Sequence, residues 1–428
     1  MAGHGKTIDI SSENRTLHDL APKLMGVGLV LGVVGLAAGF VLGTRAEHRD
    51  VFYHSYLVSA CFFLSISLGG LFFTMVQHLT KAGWSVAVRR PAEILALNVL
   101  PLALLFIPIL IPGHDPETHE PTGGMSLLYG AWLQPSGHHA EVIKAKSAWL
   151  SEGFFQARVV VYFAVWILLS QVMFRSSVRQ DLTGDKGITT RLGVISAPGM
   201  IAFALTTSTA AFDLLMSLRP EWFSTIFGVY FFAGCALGGF ATMILFLRFA
   251  QAAGRLRSVV TPEHYQDLGK LLFGFGIVFW AYIGFSQFML IWYANMPEET
   301  GWYKIHAEDP GWSRASGLLL IGHFFLPFLF LVSRHVKRSA VGLTVGAVYM
   351  LAIHWFDLFW LVMPQVNPTG HDLYPQVPTA PSQLLLHLLC FVGVGGVFLA
   401  FTGFNLRKCS LVAERDPRLG ESLAFENY

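Results

Sequence analysis

Apolar residues dominate this chain in ten long blocks. A helix needs roughly 20 mostly apolar residues to cross a bilayer. The blocks at 24–43, 53–79, 93–112, 155–174, 192–216, 223–247, 268–295, 314–333, 340–363 and 383–406 all meet that need. Several exceed it, which predicts tilt or extension beyond the hydrocarbon. The expected fold class is therefore an all-α integral membrane protein with ten transmembrane helices. The polar, mixed-charge stretch before the first block is too long and its apolar run too extended for a cleavable signal peptide.

The polar segments between the blocks set the orientation. Segments on one side hold 21 of the 29 Lys and Arg residues, and those on the other side hold 7. The positive-inside rule then places both termini in the cytoplasm, which an even number of spans permits. Arg158, near the start of the fourth span, is the remaining basic residue. The inner connections are short and basic. The outer ones at 113–154, 296–313 and 364–382 are long and rich in Pro, Gly, His and aromatic residues, as a docking surface would be.

Composition agrees with this picture. Of 428 residues, 54% are apolar and 13% charged, and mean hydropathy is +0.53. Soluble domains carry about 25% charged residues. No basic block interleaves with aromatics, so no nucleic-acid partner is expected. Cys61, Cys235, Cys390 and Cys409 form no C-x-x-C pair, which argues against ligated zinc, iron–sulfur or covalent haem. Haem b stacked across a bundle would want paired histidines about 13 residues apart on two helices, and His78, His323, His354 and His387 occur one to a span.

A faint repeat links spans four apart. Leu68-Gly69-Gly70 in the second span matches Leu237-Gly238-Gly239 in the sixth. Phe212-Asp213-Leu214 in the fifth matches Phe356-Asp357-Leu358 in the ninth. The offset predicts two parallel four-helix bundles, spans 2–5 (residues 53–216) and spans 6–9 (223–363). Spans 1 (24–43) and 10 (383–406) flank them, and tails at 1–23 and 407–428 complete the chain. Glycines 28, 32, 35, 39 and 43 line the first span at small-xxx-small spacing, for contact with a neighbouring helix or with another subunit.

Charged groups inside spans are costly, about 2.5–3.5 kcal/mol each on insertion scales, so they mark sites. Thr206, Thr209 and Asp213 share one face of the fifth span. His354 and Asp357 share a face of the ninth. Both sets fall in the outer half and could bind a polar head group or relay protons. Tyr282, Ser286 and Gln287 in the seventh span and His323 in the eighth supply polarity at mid-depth. His78 and Glu93 lie at the inner side, with Glu93 expected in the first turn of the third span, where it suits the helix dipole.

Two stretches carry a resemblance. One is the run from Asp213 to Gly234, with Arg219-Pro220-Glu221-Trp222 inside it. The other joins His54-Ser55-Tyr56-Leu57, Leu68-Gly69-Gly70-Leu71-Phe72-Phe73 and the run from Gln77 through Trp84 to Arg89-Arg90-Pro91 and Glu93. Over essentially its whole length the chain resembles membrane subunits of the polysulfide-reductase (NrfD) type. It is most similar to the second, shorter such subunit of bacterial alternative complex III, a quinol oxidoreductase. The resemblance implies the same helical plan, a bacterial inner-membrane location and no cofactor bound in this chain. It implies a sister NrfD-type subunit, an iron–sulfur protein and multihaem cytochromes c as partners. It also implies quinol (menaquinol or ubiquinol) oxidation near the outer face, onto which the Asp213 run maps.

Three roles remain open within that frame. In a quinone site, Asp213 with Thr206 and Thr209 would take protons from the quinol. In a proton path, His78 and Glu93 would lead through Tyr282, Ser286, Gln287 and His323 to Asp213, His354 and Asp357. In a structural anchor, these groups would only stabilise the bundle. A stand-alone secondary transporter is the alternative from another class, but Pro101, Pro108 and Pro327 do not recur at the four-span offset as broken helices would. On the active readings Asp213→Asn impairs turnover or proton movement and leaves assembly intact.

Overall fold

Apolar runs fold as helices in a bilayer because each backbone N–H and C=O must find a partner within its own segment. The computed structural model describes residues 14–45, 48–115, 121–135, 140–366 and 377–427. Lys6 and the rest of residues 1–13, together with 46–47, 116–120, 136–139, 367–376 and 428, lie outside the described residues. Among the described residues nine helices are long and apolar enough to cross a membrane, as a multi-pass membrane protein requires.

In chain order, α1 is Ala21–Gly43 and α2 is Arg49–Leu79. Three short helices follow: α3 (Val86–Ala96), α4 (Val99–Leu105) and α5 (Ile107–Leu110). Two more, α6 (Gly124–Leu133) and α7 (Ala140–Ala145), precede the long α8 (Glu152–Thr183), α9 (Gly187–Leu214) and α10 (Phe227–Ala252). Then come α11 (Pro262–Leu271), α12 (Trp280–Ala294), α13 (Pro297–Glu308), α14 (Pro310–Leu319), α15 (Leu326–Leu331) and α16 (Arg334–Arg338). The last are α17 (Ala340–Val362), α18 (Pro381–Leu406) and α19 (Leu419–Leu423).

The predicted third span, 93–112, is the run that does not form one long helix. Proline lacks an N–H and its ring crowds the carbonyl four residues back. Pro101 therefore breaks the helix near Leu97 and Asn98, and Pro108 breaks it near Phe106. The freed carbonyls are taken up from other helices. The Tyr56 hydroxyl donates to Leu105 O at 2.7 Å, and Gln156 donates to Leu110 O at 3.1 Å. Asn98 also donates to Thr402 at 2.9 Å, tying this segment to α18. At its other end the segment begins earlier than expected. Since α3 starts at Val86, Glu93 lies two turns inside it rather than in a first turn.

Two further helices change pitch. Leu272–Phe279, between α11 and α12, and Leu320–Phe325, between α14 and α15, are π-helical. Such wide turns leave carbonyls out of register and recur at functional sites. His323 lies in the second of them, and its Nε2 stands 3.1 Å from Gly276 O in the first. The Tyr349 hydroxyl donates to Gly322 O at 2.7 Å. A side chain on a neighbouring helix thus satisfies each exposed carbonyl.

The most apolar window of α2 is wholly buried, and α2 packs on α3, α9, α10 and α18. Its crossing with α10 is the place where the repeated glycines meet. A Cβ on Gly69 would sit 2.0 Å from Cys235 O, and one on Gly239 would sit 2.6 Å from the Gly69 carbonyl carbon. The α1 glycines are likewise spent inside the chain. Gly28, Gly32 and Gly35 lie against Gly396, Ala400 and Gly393 of α18, while Val30, Val33 and Val41 on the other side of α1 are exposed.

At one end of the body the start and finish of the described chain pack together. Leu411 N donates to Arg15 O, and Arg255 pairs with Asp19. A buried ion network ties the C-terminal tail in: Arg89 hydrogen-bonds Glu93 (3.0 Å) and Asp416 (2.7 Å), and Arg90 hydrogen-bonds Asp181 (2.6 Å) and lies 3.1 Å from Glu93 as an ion pair.

Candidate functional site

Of the two carboxylates in the outer-half sets, Asp213 ends α9 facing α8. Arg158 and Tyr162, one turn apart on α8, both point at it. Arg158 forms a two-pronged pair, Nε to Oδ2 at 2.8 Å and Nη2 to Oδ1 at 2.9 Å. Tyr162 donates to Oδ2 at 2.7 Å and Trp149 Nε1 donates to Oδ1 at 2.9 Å. The Arg158 guanidinium lies 4.1 Å over the Trp149 ring and 4.3 Å over Phe154. Asp213 has no exposure and Arg158 is 7% exposed. Each carboxylate oxygen thus has two donors, and the charge is neutralised inside the fold.

Of the threonine stripe, Thr209 lies within hydrogen-bonding reach of Tyr162 at the edge of this cluster, and Thr206 lies outside it. Thr206 donates to Ala202 O and accepts from Trp166 Nε1, and Thr209 donates to Leu205 O. These hydroxyls mainly serve their own helix backbone.

Asp357 on α17 has different surroundings. Its two donors are neutral: Tyr230 of α10 at 2.6 Å on Oδ1 and Trp280 of α12 at 3.0 Å on Oδ2. Among the described residues no cation pairs with it. His323 stacks flat on Trp280, with centroids 3.7 Å apart and planes 12° from parallel. His354, one turn before Asp357, has Nε2 2.8 Å from Ser65 Oγ on α2, and its ring lies against Gly234. The Nδ1 atoms of both histidines are buried without a hydrogen-bond partner among the described residues. The structure therefore groups Asp357, His354 and His323, drawn from two predicted sets, and leaves Asp213 in another cluster that shares no hydrogen-bond partner with them.

Tyr230 and Trp280 also wall a cavity of about 880 Å³ between the two π-containing helices. Its lining is mostly apolar, with Gln287, Tyr303, His306 and Ser316 adding polar groups. Gln287 accepts from Ser224 at 3.0 Å and donates to the Tyr303 hydroxyl at 3.2 Å. His306, on α13, has Nδ1 2.8 Å from Trp302 O and Nε2 3.2 Å from Trp360 O. Burial pushes its pKa down to about 4, so the ring is neutral and donates to one carbonyl at a time. Burial likewise pushes the Tyr303 hydroxyl up to about 12, so it stays protonated and able to donate. Tyr282 is 65% exposed at the cavity's rim and Ser286, one turn on, is half-buried; neither belongs to the Asp357 cluster.

The inner pair separates as well. Glu93 is held between Arg89 and Arg90, as above. His78 is buried near Arg89 and Arg418, with Nε2 lacking a hydrogen-bond partner. No hydrogen bond joins either residue to the mid-depth groups.

Sequence reasoning missed Arg158, Tyr162, Tyr230 and Trp280. For Arg158 a signal was present: an arginine inside an apolar span demands a partner as surely as an aspartate does. No protein-family model matches the chain, and a search of curated proteins finds no match either.

Proposed function

We propose that this chain is a membrane subunit of a bacterial quinol:electron-acceptor oxidoreductase, and that the Asp357 cluster with its adjoining cavity is its quinol-handling site. The observation that carries the reading is the position of Tyr230 and Trp280. Each lines an apolar cavity of ligand size and also donates to a buried carboxylate that has no cationic partner. A quinol head in this cavity would meet Gln287, Tyr303 and Ser316, with its tail leaving between α12 and α14 into lipid. Oxidation to quinone releases two electrons and two protons. Asp357 accepts a proton without breaking an ion pair, and His354 and His323 offer the next acceptors. The electrons pass to partner subunits, an iron–sulfur protein and multihaem cytochromes on the outer side, beside a sister NrfD-type chain. In this arrangement the chain crosses the inner membrane ten times, in two four-helix bundles and two flanking helices, with both termini cytoplasmic. The broken segment α3–α5 completes the tenth crossing.

Asp213 is assigned the anchor role, since its pairing with Arg158 stabilises the α8–α9 junction. A proton path across the whole membrane draws less support, because Glu93 is occupied by two arginines.

The test is quinol oxidation and proton release by the assembled complex in liposomes, comparing wild type with Asp357→Asn and Asp213→Asn. Loss of oxidation in Asp357→Asn with normal assembly supports the site. Unchanged oxidation overturns it. Retained oxidation with fewer protons released per electron moves the role from quinol oxidation to proton transfer.

A further inference from the structure

A second opening, of about 1010 Å³, lies on the other side of α17 and shares no lining residue with the first. It is a groove between α17 and α18, floored by α2, and it faces the lipid. His387, in the second turn of α18, lines it and is 4% exposed, yet neither of its ring nitrogens has a hydrogen-bond partner among the described residues. Trp355 faces it from α17, with its ring 6.1 Å from His387 at 86°, and the indole N–H is buried and also without a partner. A buried polar group left unsatisfied is costly, so two side by side in one groove point to a ligand.

The groove's chemistry narrows what that ligand is. No Lys, Arg, Asp or Glu lines it among the described residues, so a phosphate head would find no counter-charge. The indole N–H needs an acceptor, and a neutral imidazole offers one donor and one acceptor. Phe62, Phe63 and Phe391 pack with centroids 5.1–5.4 Å apart and present aromatic surface to a flat ring. Phe62 also lies 5.5 Å from the His354 ring.

We propose that this groove binds an uncharged isoprenoid lipid of the hydroquinone or quinone class. Its oxygen-bearing head bonds to His387 and Trp355, and its tail lies along the groove between α17 and α18, over Phe63 and Ile66 of α2. The site is a binding site distinct from the Asp357 cavity, with Phe62 between it and His354. The head-group class rests on the quinol reading above, whereas the need for a neutral hydrogen-bonding head does not.

The experiment uses the full chain in lipid nanodiscs and a photoreactive azidoquinone, with labelled peptides mapped by mass spectrometry. Labelling is expected on α17 or α18 around residues 351–359 and 384–395, displaced by excess decylubiquinone. It is expected to fall at least tenfold in the His387→Leu, Trp355→Phe double variant. Leu388→Trp changes a lipid-exposed residue at the groove's rim, leaves the buried packing alone and is expected to reduce labelling too. Absence of groove labelling overturns the proposal, as does displacement by phosphatidylglycerol but not by decylubiquinone. So does labelling that persists undiminished in both variants. Labelling of α12 and α14 peptides is read from the same digest. Groove labelling without it leaves this inference standing and removes the quinol cavity, and the converse result does the opposite.

Discussion

The Tyr230 hydroxyl stands 2.6 Å from Asp357 Oδ1 while its side chain forms part of the wall of the adjoining cavity. A ligand in that cavity is therefore one hydrogen bond away from a buried carboxylate. Removing either partner should act on chemistry before it acts on folding. Asp357→Asn keeps the shape and is expected to lower quinol oxidation by roughly 100-fold, the scale of a lost proton acceptor. Tyr230→Phe should lower it less and leave the melting temperature within a few degrees. Steady-state turnover of the assembled complex, alongside a melt of each variant, checks both.

Asp213→Asn should behave in the opposite way. The sequence predicts intact assembly with impaired turnover or proton movement. The structure instead puts a buried guanidinium opposite Asp213, and breaking such a pair by removing one partner costs about 3–5 kcal/mol. Reduced yield and a lower melting temperature are expected. The double variant Arg158→Met, Asp213→Leu should recover much of the loss, because replacing the whole pair with apolar groups is often near neutral. Equal melting temperatures for Asp213→Asn and wild type would refute the anchor role.

The α2–α10 crossing tolerates no side chain at its closest point. Gly69→Ala would place a Cβ 2.0 Å from Cys235 O, and backbone on both sides leaves nowhere to move it. The helices must separate, at a cost of about 3 kcal/mol. Gly130→Ala, where a Cβ meets nothing within 4 Å, is the control. Thermal unfolding in detergent should distinguish the two by many degrees.

His306 gives the fold an acid limit. Burial lowers its pKa from 6.5 to about 4, so below pH 6.5 the unfolded chain binds a proton that the folded chain refuses. Its contribution is fully present above pH 6.5 and is lost progressively as pH falls toward 4, in total roughly 3 kcal/mol. His306→Gln should flatten that fall. Melting temperatures from pH 7.5 to pH 4.5 measure it, and parallel curves for the two proteins would contradict it.

The ion network around Arg89 and Arg90 predicts a clasped tail. Asp416→Ala leaves Arg89 with Glu93 alone, and residues beyond 410 should become sensitive to limited proteolysis while the helical body stays resistant. Unchanged cleavage would show that packing of α19, rather than the ion pair, holds the tail.

Much of the fold was legible because hydropathy is local. Each apolar run carries its own need to leave water and its own backbone bonding, so length alone announced the helices and the membrane. The prolines at 101 and 108 stand in the sequence, but the unbroken apolar run around them conceals the breaks they impose. The π turns were invisible, since nothing local distinguishes Leu272–Phe279 from an ordinary helix; the groups that meet their carbonyls, His323 and Tyr349, come from other helices.

The sequence by itself determined the class, the nine long apolar helices found among the described residues and the short roster of polar groups buried in them. It also placed Asp213 and Asp357 as equivalents in two halves. Tertiary structure alone made them unlike. Arg158 comes to Asp213 from 55 residues away, and Tyr230 comes to Asp357 from 127 residues away. Whether a buried carboxylate meets a cation or a phenol depends on how helices are rotated against one another. That rotation follows from glycine contacts such as Gly69 with Gly239 and from packing summed over many residues, a property of the assembled bundle that no single segment contains.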